Sequence, residues 1–287
     1  MARGIVLVLG GLGLKGVANI GILQSLRKHN VRIDKIVTSG MSSVVGAQFA
    51  LGRDLDVLTE HLVRFFDDNE RYLWGLEQFS GVIRSQRRRI VNSFSYFLRR
   101  RLFCRENMKR TSILSWEFVE SRIESLFGNN TFSDLKVPLA VSAIDISSST
   151  EILIEHGDLV EGLKAGIAFT GLFPPVRIAD RELVSSILYC ESPLGTLVKS
   201  LRPIVVIDIS NVLFAKRPRS LLEIIAHADE VRTVAIKQRS LNKADRVFHL
   251  ESLSQFRWGN YRQIPQLVSM ARGNMDTLLD SAEMPLF

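Results

Sequence analysis

Residues 5–16 read IVLVLGGLGLKG, which is a run of five apolar residues followed directly by a loop that contains four glycines. An uninterrupted apolar run predicts a strand that is covered on both faces, as in a parallel sheet. A helix is predicted next, from about Lys15 to His29. Its apolar residues recur at helical spacing, at Val17, Ile20, Leu23 and Leu26. The chain therefore begins with a strand, a glycine loop and a helix.

The same alternation continues along the chain. A strand over Lys35–Ser39 and a helix that starts near Met41 follow the first unit. Further strands are predicted at 139–146, 152–155, 204–209 and 246–250, and further helices at 159–168, 220–238 and 261–282. Alternating strands and helices with short links favour a parallel sheet between helices. We expect one α/β domain over residues 1–287, with three layers and a central, mostly parallel sheet.

One segment departs from this alternation. Residues 64–127, approximately, are polar, aromatic and basic, and we predict a helical insertion there. Between Arg84 and Arg110, ten basic residues stand against the single acid Glu106, a local charge of +9, so the rest of the +7 chain sums to −2. The basic character therefore belongs to this insertion and not to the whole surface.

Composition excludes several classes of protein. The hydrophobic fraction of 46% and the charged fraction of 23% are ordinary for a globular protein. No window reaches the roughly 20 apolar residues of a membrane span. The two cysteines give no disulfide framework, and the five histidines lack metal-ligand spacing. We expect no metal and no cofactor, and a cytoplasmic location in which the chain attaches to a membrane only at its periphery.

The glycine loop admits three interpretations. Gly11, Gly13 and Gly16 satisfy the dinucleotide fingerprint, but the second strand ends at Ser39 without the acid that would hold a ribose. A phosphate-binding P-loop is excluded, because no Gly-Lys-Ser/Thr is present. Two interpretations stay open. The loop is either a tight turn without a ligand or an oxyanion hole, in which backbone N–H groups stabilise a developing negative oxygen.

Four separated segments together resemble the patatin-like phospholipase family. They are residues 9–23, 33–47, 137–145 with 157–160, and 165–184, the last of which contains GLFPPV. The resemblance implies a patatin-like α/β/α fold in which a serine–aspartate dyad hydrolyses lipid esters without a histidine. It also implies that the glycine loop is an oxyanion loop, formed by Gly10, Gly11, Gly13, Lys15 and Gly16.

The resemblance places other residues at both dyad positions. Counting from Asp34 and Gly46, the nucleophile of the G-x-S-x-G elbow falls on Gly40. The family's D-G-G or D-G-A corresponds to Ser185-Ser186-Ile187, so Ser185 stands at the base position. A serine hydroxyl cannot act as a general base near neutral pH. We therefore expect a pseudoenzyme that has kept a lipid- or acyl-binding cleft.

An active lipid acyl hydrolase with a relocated nucleophile is the alternative. Ser42 is the best substitute, because Gly40-Met41-Ser42-Ser43 is half an elbow motif; Ser39 and Ser43 are weaker candidates. Three acids near the segments that resemble the family could serve as its base: Asp145, Asp180 and Glu191. Against relocation stands the simpler interpretation that Ser42 and Ser43 cap the helix that follows.

The basic segment suggests contact with lipid. Arginines attract anionic headgroups, and aromatic side chains favour the membrane interface. The candidate contact residues are Arg87, Arg88, Arg89, Phe94, Phe97, Arg99, Arg100 and Arg101. A helical lid with solvated arginines explains the segment equally well, and charge alone gives nucleic-acid binding little support. The expected partners are a lipid or anionic membrane surface, or a catalytically complete patatin-like homologue that this chain regulates.

Overall fold

A parallel sheet forms the centre of the protein. In the computed structural model, the described residues are 4–69, 112–190, 192–194, 203–209, 218, 221–256 and 261–281. Its parallel strands are β1 (Ile5–Leu9), β2 (Ile33–Thr38), β3 (Leu139–Asp145), β7 (Ile204–Asp208) and β8 (Arg246–His249). They lie in the order β3-β2-β1-β7-β8. The predicted mostly parallel sheet is confirmed.

Three antiparallel strands complete the sheet at one end. They are β4 (Thr150–Ile154), β5 (Val176–Ile178) and β6 (Arg181–Ser185). Both β4 and β6 pair with β3, and β5 pairs with β6. The sequence did not predict β5, because a three-residue strand directly after Pro174 and Pro175 leaves no detectable alternation.

Helices cover both faces of the sheet. The helices in chain order are α1 (Asn19–Lys28), α2 (Ser42–Ala50), α3 (Leu55–Asp68), α4 (Glu120–Phe127), α5 (Leu159–Ile167), α6 (Leu221–Leu241) and α7 (Ile264–Asp280). Leu7, Leu9 and Ile36 belong to a large buried cluster with residues of α1, α2 and α7. Val8 and Val206 face the other way and pack with Leu241 of α6. The fold is therefore a three-layer α/β/α sandwich.

The predicted insertion is described only at its two ends. α3 and α4 are helical, as expected for the borders of the segment 64–127. Residues 70–111 lie outside the described residues, and these include all the candidate membrane-contact residues from Arg87 to Arg101. Among the helices of the described ranges, none combines the length and apolar character that crossing a membrane requires.

The carboxyl ends of β1 and β2 position the candidate site. The glycine loop follows Leu9, and the paired residue Thr38 leads through Ser39 into Gly40. Ligands of open α/β sheets bind in the crevice outside these strand ends. Ser185 ends β6 opposite Ala143 of β3, which brings this serine toward the same region of the sheet.

Candidate active site

Gly40 forms the turn between β2 and α2. Its φ of +65° lies in the left-handed region, and its N–H donates to the carbonyl of Gly166 at 3.1 Å. A side chain there costs roughly 1–2 kcal/mol in backbone strain, which glycine avoids. Gly40 therefore forms a sharp strand-to-helix turn with a backbone conformation that suits glycine, at the position to which the family resemblance assigns the nucleophile.

Ile187 packs against this turn, two residues after Ser185 at the end of β6. Ser185 is buried, and its Oγ accepts a hydrogen bond from the N–H of Ile187 at 3.4 Å. A Cβ built on Gly40 would lie 3.2 Å from Cγ1 of Ile187 and 3.4 Å from its Cβ and Cδ1. The side chain of Ile187 therefore fills the space into which a side chain at position 40 would point.

Gly40, Ser185 and Ile187 all border one cavity of about 130 Å³. Its wall is apolar, and among the described lining residues Ser185 has the only polar side chain. The other lining residues are Gly13, Leu14, Met41, Phe65, Phe66, Leu114, Phe118, Val119, Ile167, Phe169, Leu172 and Phe173. Such a wall favours an apolar ligand, because a buried charge without a partner is strongly disfavoured.

The described ends of the insertion form a roof over this cavity. Phe65 and Phe118 pack with their ring centroids 5.4 Å apart, one from α3 and one from the segment before α4. The backbone of that segment is fixed to the Phe-Pro-Pro loop, since the N–H of Leu114 donates to the carbonyl of Leu172 at 2.8 Å. The roof is thus joined directly to the loop that carries much of the cavity wall.

Lys164 forms an ion-pair cluster with two glutamates beside the roof. Nζ of Lys164, on α5, lies 2.6 Å from Glu120 and 2.8 Å from Glu161. Burial alone would lower the pKa of Lys164, but the hydrogen bonds to these two carboxylates outweigh it and raise the pKa. The same ammonium lies 5.4 Å from the ring centroid of Trp116, which stacks on Phe173 of the cavity wall.

The glycine loop borders the cavity through Gly13 and Leu14. Gly11 has a φ of +129°, and a Cβ there would lie 2.8 Å from the backbone nitrogen of Gly16, so no other residue fits. Lys15 points elsewhere: its side chain is buried, with Nζ 3.5 Å from the carbonyl oxygen of Ser254. Nδ2 of Asn19 donates to the carbonyls of Gly10 and Gly16 and so holds the loop closed.

Ser42 has a buried hydroxyl at the start of α2. Its Oγ lies 2.9 Å from the carbonyl oxygen of Leu9 and 2.7 Å from that of Ser39. The prediction that Ser42 and Ser43 cap the helix was wrong, because the N-cap residue is Met41 and no side chain makes a cap hydrogen bond. Ser39, Ser42 and Ser43 are fully buried, and all are absent from the described cavity lining.

The two candidate replacement bases that the structure describes, Asp145 and Asp180, are absent from the cavity lining. Asp145 accepts hydrogen bonds from the N–H and hydroxyl of Ser148 and the N–H of Ser147. Burial would raise the pKa of Asp145, but these bonds and Arg181 lower it, which makes the carboxylate a poor base. Asp180 is exposed in the turn between β5 and β6, and Glu191 lies outside the described residues. No group of His, Cys, Asp and Glu within the described ranges could hold a metal ion.

The sequence prediction overlooked Ile187, Asn19 and the aromatic roof. A signal for Ile187 was present, because a bulky residue follows Ser185-Ser186 where the family pattern has glycine or alanine. Phe65, Phe66 and Phe118 gave no comparable signal, since only the tertiary fold brings α3 and the segment before α4 over the elbow.

A sequence model of the patatin-like phospholipase family matches residues 7–191. This span contains the glycine loop, the elbow at Gly40 and Ser185. The chain belongs to the patatin-like phospholipase family.

Individual relatives are distant. An uncharacterized NTE family protein of Mycobacterium bovis is 23% identical over 193 residues, which cover 67% of this chain and 45% of the relative. A lysophospholipase NTE1 of Cryptococcus neoformans is 27% identical over 207 residues, 72% of this chain and 11% of the relative. The chain thus spans less than half the length of these relatives. The solved structure of VipD from Legionella pneumophila is 14% identical with a TM-score of 0.49, covering 97% of this chain and 67% of VipD.

Proposed function

We propose that this chain is a catalytically degenerate patatin-like protein that binds an acyl chain or a similar apolar ligand without hydrolysing it. One observation carries the proposal: Gly40, which has a positive φ, borders an apolar cavity together with Ser185 and Ile187, and Ile187 packs against it. Among the described lining residues Ser185 has the only hydroxyl, and no carboxylate or imidazole lines the cavity to act as its base. Loss of the nucleophile of a serine hydrolase costs on the order of 10⁶ in turnover.

The alternative, hydrolysis by Ser42, has weaker support. A nucleophile must reach the substrate and transfer its proton to a base. The hydroxyl of Ser42 is buried, lies within hydrogen-bond distance of the carbonyls of Leu9 and Ser39, and is absent from the described cavity lining. Using it would require α2 to separate from the end of β1.

A fluorophosphonate probe, with mass spectrometry to locate any adduct, tests this proposal. It is applied to the folded protein alongside a short-chain ester assay and titration with saturated alcohols. We expect no adduct, no turnover and saturable alcohol binding. Stoichiometric labelling of Ser42 with turnover would establish a hydrolase instead, and folded protein that bound no apolar ligand would contradict the binding function.

Membrane attachment is the second part of the proposal. Its support is the basic aromatic segment from Arg87 to Arg101, together with the membership of a phospholipase family. Six arginines interleaved with aromatic residues suit an anionic surface. A ligand taken from a bilayer would then reach a cavity whose roof is built from the two ends of that insertion. Regulation of a catalytically complete homologue remains a proposal that co-purification from the native source tests.

A further inference from the structure

We propose that Ile187 determines ligand specificity: its side chain fills the end of the cavity beside Gly40 and limits the length of apolar chain that the cavity accepts. The inference rests on the proposed ligand-binding function. It concerns one residue two positions after Ser185, where the family pattern has glycine or alanine.

The packing of Ile187 supports this role. The side chain is 2% exposed and belongs to a cluster with Phe169, Leu172 and Phe173, all of which line the cavity. It also lies at 3.2–3.4 Å from the position of a Cβ on Gly40. Ile187 therefore narrows the cavity at the point where Gly40 borders it, because its side chain fills the space above that glycine.

Absence of a side chain at Gly40 makes this arrangement possible. A nucleophile at position 40 would need to shift Ile187, because contacts of 3.2 Å are tighter than ordinary van der Waals packing. Interiors are packed with few voids. The isoleucine thus occupies the volume that the missing nucleophile leaves, and it turns the reacting end of a catalytic cleft into the closed end of a binding cavity.

The lining defines the chemistry of the ligand. The described lining residues carry no charged side chain, and the hydroxyl of Ser185 is the one polar side-chain group beside the closed end. An apolar cavity of about 150 Å³ holds a molecule of the size of benzene, so the 130 Å³ found here accommodates the end segment of a chain. The ligand that fits is an uncharged, saturated chain whose polar end remains outside.

The test is a chain-length series. Saturated primary alcohols from hexanol to dodecanol are titrated by calorimetry into the wild type, Ile187→Ala and Ile22→Ala. Ile22 is a matched control, because it is equally buried but lies in α1, outside the cavity lining. Each added methylene that is buried should tighten binding about fourfold until the chain reaches the closed end. In Ile187→Ala this increase should continue to longer alcohols, whereas Ile22→Ala should reach its limit with the wild type.

The outcomes separate the two proposals. If the folded wild type binds none of the alcohols, the ligand-binding function itself is wrong. If it binds them, and Ile187→Ala reaches its limit at the same length as the wild type, Ile187 does not set specificity and the binding function stands. Should Ile187→Ala fail to fold, Ile187→Val removes one carbon and should extend the limit by about one methylene, with the same two outcomes.

Discussion

The hydroxyl of Ser42 lies 2.9 Å from the carbonyl oxygen of Leu9, which ties the first residue of α2 to the last residue of β1. The same Oγ lies 2.7 Å from the carbonyl oxygen of Ser39, in the turn itself. One buried hydroxyl therefore connects the strand that precedes the glycine loop with the elbow. Through these contacts Ser42 stabilises the packing of the end of β1 against the turn that leads into α2.

Replacing Ser42 should lower stability. Ser42→Ala removes a buried hydroxyl that donates to the carbonyl of Leu9 or to that of Ser39, one at a time, and accepts from the N–H of Ser39 at 3.3 Å, and we expect a loss of about 1 kcal/mol in the free energy of unfolding. Urea denaturation with an unchanged m-value measures it. Ser43→Ala is the matched control: among the described residues, no partner accepts from or donates to the buried Ser43 hydroxyl. That variant should be neutral or stabilising. Unchanged stability with loss of an ester-hydrolysing activity in Ser42→Ala would favour catalysis.

Restoring hydrolysis should require three substitutions. Gly40→Ser with Ser185→Asp supplies a dyad, but the new side chain at position 40 meets Ile187 at 3.2 Å. Adding Ile187→Gly removes the obstruction. An aspartate at position 185 can still accept the N–H that Ser185 accepts now.

We expect the double variant to remain inert and the triple variant to gain fluorophosphonate labelling at position 40 together with measurable esterase turnover. Ile187→Gly alone is the control and should show neither. Labelling of the double variant at the same rate as the triple variant would mean that Ile187 does not obstruct the elbow.

The first strand, the glycine loop and the turn at Gly40 were predictable because each depends on residues close together in the sequence. The run from Ile5 to Leu9 and the glycines after it specify a strand and a tight turn within a dozen residues. Spacing from Asp34 and Gly46 predicts a turn at Gly40, and the structure has a positive φ there. Backbone geometry of this kind depends on residue type and order, so a sequence pattern can reveal it.

The parts that were missed depend on tertiary contacts. The direction of the Ser42 hydroxyl follows from the position of β1 beside the elbow, and 33 residues of chain separate Ser42 from Leu9. The cavity wall combines α3, the segment before α4 and the loop after α5, which periodicity cannot place together. The sequence showed a bulky residue at Ile187, but its contact with Gly40 arises only in the folded chain.

Stability should depend on pH through the seam between α1 and α7. A hydrogen bond to the carbonyl of Ser25, followed by one to Asp280, raises the pKa of His29 above 6.5. Hydrogen bonding by Ser25 and Lys28 lowers the pKa of Asp276, against the opposing effect of burial. A group whose pKa is raised on folding stabilises the fold at pH values below its pKa in the unfolded state. This stabilisation is lost as the pH rises through its pKa in the folded state.

The contribution of His29 to the free energy of unfolding should therefore be complete below about pH 6 and lost above its raised pKa. That of Asp276 should be present above its ordinary value of 3.8 and lost as pH falls through its lowered pKa. Urea denaturation from pH 4 to 9 measures the contribution of His29, with His29→Gln as the comparison, and extension of the series to about pH 2 follows the loss of the Asp276 contribution. The wild type should be more stable than this variant at low pH, and this difference in the free energy of unfolding should disappear as pH rises past neutrality. A difference that stays constant with pH would show that His29 does not cause the pH dependence.

Binding to anionic vesicles should depend on the arginine runs. Each basic residue near an anionic surface contributes about 1 kcal/mol. Replacing Arg87, Arg88 and Arg89 with glutamine should therefore weaken binding to phosphatidylserine vesicles by about two orders of magnitude at low salt. The matched control replaces Arg177, Arg181 and Arg246, which lie outside the segment. Equal binding of both variants in a sedimentation assay would contradict membrane contact through this segment, and tighter binding to RNA than to vesicles would point to nucleic acid.

Lys164 should hold the roof of the cavity in place. Lys164→Met keeps the length of the side chain but removes the ion pairs to Glu120 and Glu161, at 2.6 and 2.8 Å. Because the methionine leaves two carboxylates without their partner, we expect a loss of about 1–3 kcal/mol in the free energy of unfolding. Alcohol affinity should fall as well, since Glu120 begins the helix that follows Phe118 and Val119 of the cavity wall.

Lys28→Met is the matched control. Lys28 also pairs with a carboxylate, Asp276 at 3.0 Å, but its side chain is 62% exposed, and exposed pairs contribute at most about 1 kcal/mol. Denaturation and alcohol titration of both variants separate anchoring from general stability. Lys164→Met that lost stability but kept wild-type affinity for every alcohol would show that the ion pairs support α5 alone. A matched fall in both quantities, absent in Lys28→Met, would show that the roof and the ligand depend on the same anchor.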